Sequence, residues 1–382
     1  MYKRQGQHEF ASGVNLEGFS ASYVTEYTAD KDEELAFKFG ATGHFELFVN
    51  GKSLRQTNNW RTLPSTLPFP VEKGKTYNIE IKYAQLNNWE ANLEFNFGKE
   101  IPVDFTGLIA KLEGIDTVIF VGGLSTLLEG EEMPVNYPGF KGGDRTDIEL
   151  PAVQRNCLKA LKEAGKTVVF VNNSGSAIGL VPETQTCDAI LQSWYGGESG
   201  GQAVADVLFG DYNPSGKLPV TFYRDTTQLA DFEDYDMNGR TYRYMKEEPL
   251  FKFGFGLSYT TFEIGEAAIP KTEIAKGEPL QFTVPVKNTG DRSGTEILQV
   301  YLRKLDDADG PIKTLKQFKR IELKPGEQQQ VALEIVPESF QFYSEEKLEM
   351  AAEPGEYQIF YGNSSDQADL KTFIINLKQP QL

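Results

Sequence analysis

Three runs decide the fold of this chain: Asp116–Gly123 (DTVIFVGG), Lys166–Asn173 (KTVVFVNN) and Asp188–Gly197 (DAILQSWYGG). Each is short, continuously apolar, and ends in Gly, Asn or Ser. Between and after them lie two helical patterns, LPAVQRNCLKALKEAG (150–165) and GQAVADVLFG (201–210). Continuous apolar strands alternating with helices predict a mostly parallel sheet covered on both faces. In the first helix Val153, Leu158, Leu161 and Ala164 recur near helical spacing, and Gly165 is placed to stop it. Ligand sites in such sheets lie at the carboxyl ends of strands. Chemistry is therefore expected in the loops after Val121, Val171 and Trp194.

Outward from this centre the pattern changes twice. Residues 1–101 alternate apolar and polar positions in ELAFKFGATG (34–43), FELFVNGKSL (45–54), TYNIEIKYAQ (76–85) and ANLEFNFG (91–98), as half-buried strands do. Asn50-Gly51 signals a two-residue hairpin and Lys73-Gly74-Lys75 another turn. Residues 270–382 return to short alternating strands, PLQFTVPVKNTG (279–290), TEILQVYLRK (295–304), QQVALEIV (329–336), GEYQIFYG (355–362) and LKTFIINL (370–377), which predict a β-sandwich. The expectation is three domains: a β-rich one at 1–101, an α/β one at 102–262 and a β-sandwich at 270–382.

Bulk composition sets limits. The 382 residues carry 55 acidic against 38 basic side chains, a formal charge of −17. That argues against nucleic acid, whose phosphates need clustered Lys and Arg, and it suits a neutral ligand. No apolar run approaches the roughly 18 residues that span a bilayer. The two cysteines, Cys157 and Cys187, read as small buried hydrophobes rather than a redox pair. Nothing calls for a metal or cofactor, and Asp306–Gly310 reads as a turn because an EF-hand's closing Glu is absent.

Four segments could carry chemistry. Gly197-Glu-Ser-Gly-Gly201 has the G-x-S-x-G form, with Ser199 between strand and helix. An elbow serine needs an imidazole that follows it in the chain, and the only histidines are His8 and His44. Ser199 is therefore expected to help cap a helix. The second segment is the long loop after the first parallel strand, with Glu129, Glu131 and Glu132 at its start and Gly142-Gly143-Asp144-Arg145 beyond. Long loops in compact domains are commonly functional. A carboxyl packed into a substrate-filled cleft has its charged form disfavoured and can donate a proton. The third is the aromatic run 233–262, EDYDMNGRTYRYMKEEPLFKFGFGLSYTTF, which could line a sugar platform but is expected to pack one domain on the next. The fourth is QTNNWRT (56–62), where Trp60 and Arg61 are candidate sugar contacts.

Together, WYGGESGGQAVADVLFGDYNPSGKLPVTFY (194–223), RTYRYMKEEPLFKFGFGLSYTTF (240–262) and LEGEEM followed by GGDRTDIELP resemble the C-terminal half of glycoside hydrolase family 3. The last region is similar to that family's fibronectin III-like domain. Residues 1–101 resemble the later part of a PA14 domain, which some members insert here. The resemblance implies a retaining exo-β-glucosidase or β-xylosidase acting on an oligosaccharide or an aryl or alkyl β-glycoside. It implies an aspartate nucleophile in a TIM-type barrel that this chain does not contain, and a periplasmic or secreted location. It implies that the acid/base is Glu129, the glutamate directly followed by glycine, with Glu131 as the alternative. On this reading the chain begins inside the PA14 insert and is inactive alone. The competing expectation is a non-catalytic carbohydrate-binding protein.

Overall fold

The computed structural model describes residues 9–11, 13–15, 18–59, 65–85, 91–130, 135–344 and 348–378. Trp60, Arg61, Glu131 and Glu132 lie outside them. By packing, the chain divides into two units, Met1–Glu113 with Ser125–Thr146, and Gly114–Leu124 with Asp147–Leu382.

The first unit is built on the alternating strands. Ser20–Thr28, Thr76–Ala84, Gly43–Val49 and Lys52–Asn59 form an antiparallel sheet in that order. Ser65–Val71, Glu33–Ala41 and Leu93–Gly98 form a second. Alternation drives one face of each inward, and the two inner faces meet where Phe39 stacks on Phe45, centroids 4.7 Å apart. The expected hairpin is present: Asn50 (φ 51°) and Gly51 (φ 78°) both sit in the left-handed region that a type I′ turn requires.

The second unit holds the parallel sheet, Thr117–Gly123, Thr167–Asn173 and Ala189–Gln192, in register along its length. The helix Ala152–Glu163 buries Cys157, Leu158 and Leu161, and Gly165 follows it with φ 77°. Two expectations need correction. Val153, 39% exposed, and Ala164 are both exposed, because they fall off the stripe formed by Cys157, Leu158 and Leu161. The sheet is not covered on both faces: Ile119 and Val121 are 43% and 66% exposed. Thr117–Gly123 is an edge strand, and the helix lies on the side of Phe120 and Gly122, where a side chain at Gly122 would strike Gln154.

The same unit contains the C-terminal sandwich. Phe262–Ile264, Leu280–Asn288 and Gln328–Ile335 face a five-stranded sheet of Glu273–Ala275, Leu370–Lys378, Gly355–Gly362, Gly294–Lys304 and Thr314–Leu323. Leu280, Phe282, Val284, Val300, Tyr357 and Ile359 fill the space between, each 2% exposed or less. No helix among the described residues is long and apolar enough to cross a membrane.

Candidate active site

The strand ends are tied before the loops begin. Gln154 grips the last residue of Thr117–Gly123 from both sides: its Oε1 accepts from Gly123 N (2.8 Å) and its Nε2 donates to Gly123 O (2.7 Å). Asn173 Nδ2 donates to Gly122 O (3.2 Å), and Leu124 N donates to Asn173 O (2.8 Å). Gly123 (φ 118°) must be glycine, since a Cβ would lie 2.0 Å from Asn173 O. Gln154 has no local sequence signal; its partner is 31 residues away.

Beyond the strand, Ser125 caps a single helical turn, Thr126–Glu129, accepting at Oγ from Leu128 N (3.2 Å). Glu129 N donates to Ser125 O (3.0 Å) and Gly130 N to Thr126 O (2.9 Å). Gly130 ends the turn in the left-handed conformation (φ 58°, ψ 45°) and is buried, while Glu129 is half-buried. The turn thus fixes the Glu129 backbone at its last position. Further on, Asn136–Tyr137, Phe140–Lys141 and Asp144–Arg145 form a small antiparallel sheet around buried Phe140. The Arg145 guanidinium lies 6.0 Å from the Phe140 ring centre.

The end of the same motif has a structural role that sequence reading missed. Arg155 Nη1 donates to Glu149 Oε2 (2.9 Å), while Nε and Nη2 hold Glu183 at 2.7 and 3.1 Å. Arg155 Nη2 also donates to Gly179 O (3.1 Å).

At the other strand ends, Ser193 Oγ donates to Asn173 Oδ1 (2.6 Å) and Asn172 Nδ2 to Gln192 Oε1 (2.6 Å). Ser199 is exposed and stands at the N-cap of Gly200–Phe209, but its side chain makes no capping bond, contrary to expectation. Its backbone (φ −94°, ψ 13°) is already close to helical, so its hydroxyl is not aimed back at the free N–H groups. Cys157 is buried; Cys187 is only half-buried, at the end of Val181–Thr186. Burial, with the Glu183 and Asp188 charges, pushes its thiol up to about 11. Among the described residues no three His, Cys, Asp or Glu side chains are grouped to hold a metal.

Residues 18–259 match the glycosyl hydrolase family 3 C-terminal domain, and residues 296–365 a fibronectin type III-like domain. The chain belongs to glycosyl hydrolase family 3. Among relatives of this family 3 chain, a xylan 1,4-beta-xylosidase of Xylanibacter ruminicola is 51% identical over 373 residues, 97% of this chain and 43% of the relative. A periplasmic beta-glucosidase of Salmonella typhimurium is 39% identical, covering 61% of this chain and 32% of the relative. The crystal structure of a beta-glucosidase from Kluyveromyces marxianus in complex with glucose superposes with a TM-score of 0.66 at 27% identity, covering 98% of this chain and 46% of that one. The family 3 chain thus spans less than half the length of each of these proteins.

Proposed function

We propose that the chain is the acid/base-bearing part of a retaining, exo-acting β-glycosidase, with Glu129 as the acid/base and Glu131 as its alternative. The observation that carries the reading is the position of Glu129: half-buried, last in a capped turn, on the loop that leaves the parallel sheet's carboxyl end. An aspartate from a barrel domain attacks the anomeric carbon. Glu129 gives its proton to the departing oxygen as the glycosidic bond breaks. The Glu129 carboxylate then takes a proton from water, whose oxygen displaces the aspartate and releases the sugar with retained configuration. The two carboxyl groups are expected roughly 5–5.5 Å apart.

The 51% identity to a xylan 1,4-beta-xylosidase favours β-xylosides over β-glucosides. The relative named as periplasmic supports a location outside the cytoplasm. We assign residues 1–101 to a partial PA14-like region, supported by its two facing sheets, 102–262 to the α/β domain and 270–382 to the fibronectin III-like domain. Because the aspartate belongs to the barrel, the isolated chain is inactive.

The test joins the chain to a family 3 barrel and measures hydrolysis of 4-nitrophenyl β-xyloside and β-glucoside. Glu129→Gln is expected to lower kcat by about 10²–10⁴, because even where nitrophenolate leaves without a proton the hydrolysis of the glycosyl-enzyme still needs Glu129 as its base. Unchanged kcat, or the same loss in Glu131→Gln alone, overturns the assignment. Turnover by the isolated chain that vanishes in Glu129→Gln overturns the division of carboxylates.

A further inference from the structure

The aromatic run 233–262 divides in two. Its second half packs on the sandwich as expected: half-buried Tyr242 stacks on half-buried Phe253 (4.2 Å), and both pack on Tyr301. The first half does the opposite. With its neighbour Phe232, 90% exposed, Tyr235, 87% exposed, stands almost wholly in solvent.

The loop that carries these two rings is tightly self-bonded. Arg240 acts as its hub, donating through Nε to Asp236 O (2.8 Å) and through Nη2 to the carbonyls of Asp231 (3.4 Å) and Asp234. The carboxylates of Asp231, Asp234 and Asp236 each accept from the amide two residues on, at 2.9, 2.9 and 2.8 Å. These bonds engage the three aspartates and hold the loop's backbone while both rings face outward. The backbone that carries the rings is fixed before any ligand arrives, so little main-chain freedom remains to be lost on binding.

The flanks of this loop line a recess of about 330 Å³, within the size range of small-molecule sites. Its wall includes Gln228, Asn238, Tyr244, Lys246 and Glu247. Gln228 is already committed: its Oε1 accepts from Arg224 N (2.8 Å), and its Nε2 donates to Glu248 O (3.1 Å) and Glu247 Oε2 (3.4 Å). The Asn238 amide, the Tyr244 hydroxyl and the Lys246 ammonium carry no side-chain hydrogen bond among the described residues.

We propose that this lip and recess form a glycan subsite that takes a β-linked pyranose chain, with Phe232 and Tyr235 stacking on sugar faces. A pyranose offers what the surface lacks: flat C–H faces for two solvent-facing rings, and hydroxyls that both donate and accept for a mixed polar wall. The subsite uses no residue of the Glu129 turn and holds whether or not Glu129 is catalytic. Only the choice of a xylan or glucan chain rests on the function proposed above.

The test titrates the 382-residue chain with xylotetraose and, in parallel, cellotetraose by isothermal calorimetry. Saturable binding near 1 mM is expected for one of them, weakened roughly tenfold or more in the Phe232→Ala/Tyr235→Ala double variant. Both rings are exposed, so the variant's thermal midpoint should match the parent's. The readout is binding of the sugar and not its hydrolysis, so failure here leaves the acid/base assignment standing, and failure of that assignment leaves this subsite standing. The proposal is overturned if neither sugar binds saturably, or if the double variant binds equally well. It is overturned too if the variant alters only the sedimentation of a self-associated chain.

Discussion

Arg155 lies between two carboxylates of very different exposure. Glu183 is 1% exposed and Glu149 about a third exposed, and the guanidinium meets the first with two nitrogens and the second with one. Removing one partner of a buried pair leaves the other charged and unsolvated, which costs more than the pair itself contributes. Arg155→Met is therefore expected to destabilise the second unit by about 3–5 kcal/mol, read as a drop in the urea midpoint. Lys162→Met, at the exposed Lys162–Asp188 pair, should cost under about 1 kcal/mol. Equal effects would mean that the buried pair carries no special weight. Glu149 lies near the end of GGDRTDIELP, a stretch that resembles an acid/base loop, yet its side chain serves this cluster. That role was not legible, since Glu183 lies 28 residues beyond Arg155 and only the fold joins them. Glu129 was legible as a carboxylate after a strand because that argument needs chain order alone.

At the scale of elements, the strand end that leads to the Glu129 turn depends on Gly123. Gly123 combines φ 118° with a carbonyl 2.0 Å from where its Cβ would sit. Gly123→Ala must part the strand end from Thr167–Asn173 and disturb the Gln154 clamp. At least about 1–3 kcal/mol of loss is expected from backbone strain alone, with the clash added to it. Gly165→Ala is the control: its φ is 77°, but nothing lies within 4 Å of its Cβ, so only the left-handed cost of about 1–2 kcal/mol applies. A thermal midpoint lower for Gly165→Ala than for Gly123→Ala would refute the packing argument. The end of the helix Ala152–Glu163 and the first hairpin were readable here, since Gly165 and Asn50-Gly51 act through their own backbone. The coverage of Thr117–Gly123 was not. A continuous apolar run says that a strand can be buried on both faces, and gives no sign that Ile119 and Val121 stay exposed.

Across the second unit, two clusters on opposite faces of the five-stranded sheet hold the phenols that make the unit alkali-sensitive: Tyr242 and Tyr301 where the aromatic segment packs, Tyr357 and Tyr361 in the core of the sandwich. Burial pushes the Tyr242, Tyr301, Tyr357 and Tyr361 hydroxyls upward from their usual range. Several are already bonded while neutral: Tyr301 donates to Gln299 Oε1 (2.5 Å), Tyr357 to Glu353 O (2.7 Å), and Tyr242 accepts from Leu315 N (3.1 Å). Unfolded tyrosine ionises near pH 10. Below that, both states hold the protons and stability does not depend on these groups. Above it, the unfolded chain releases protons that the folded chain keeps, so unfolding gains free energy with every further rise in pH. The urea midpoint should therefore be flat from pH 8 to 9.5 with respect to these groups and fall steeply towards pH 11. Phenolate absorbance from the buried set should appear together with loss of structure rather than before it. Tyr301→Phe, which removes one of the four, should make the fall shallower even if it lowers the starting midpoint. A midpoint that holds to pH 11, or buried phenols that titrate in a still-folded chain, would show that the contact between the aromatic segment and the sandwich opens to solvent. That would also remove the rigid seat from which the 231–240 loop presents its two exposed rings.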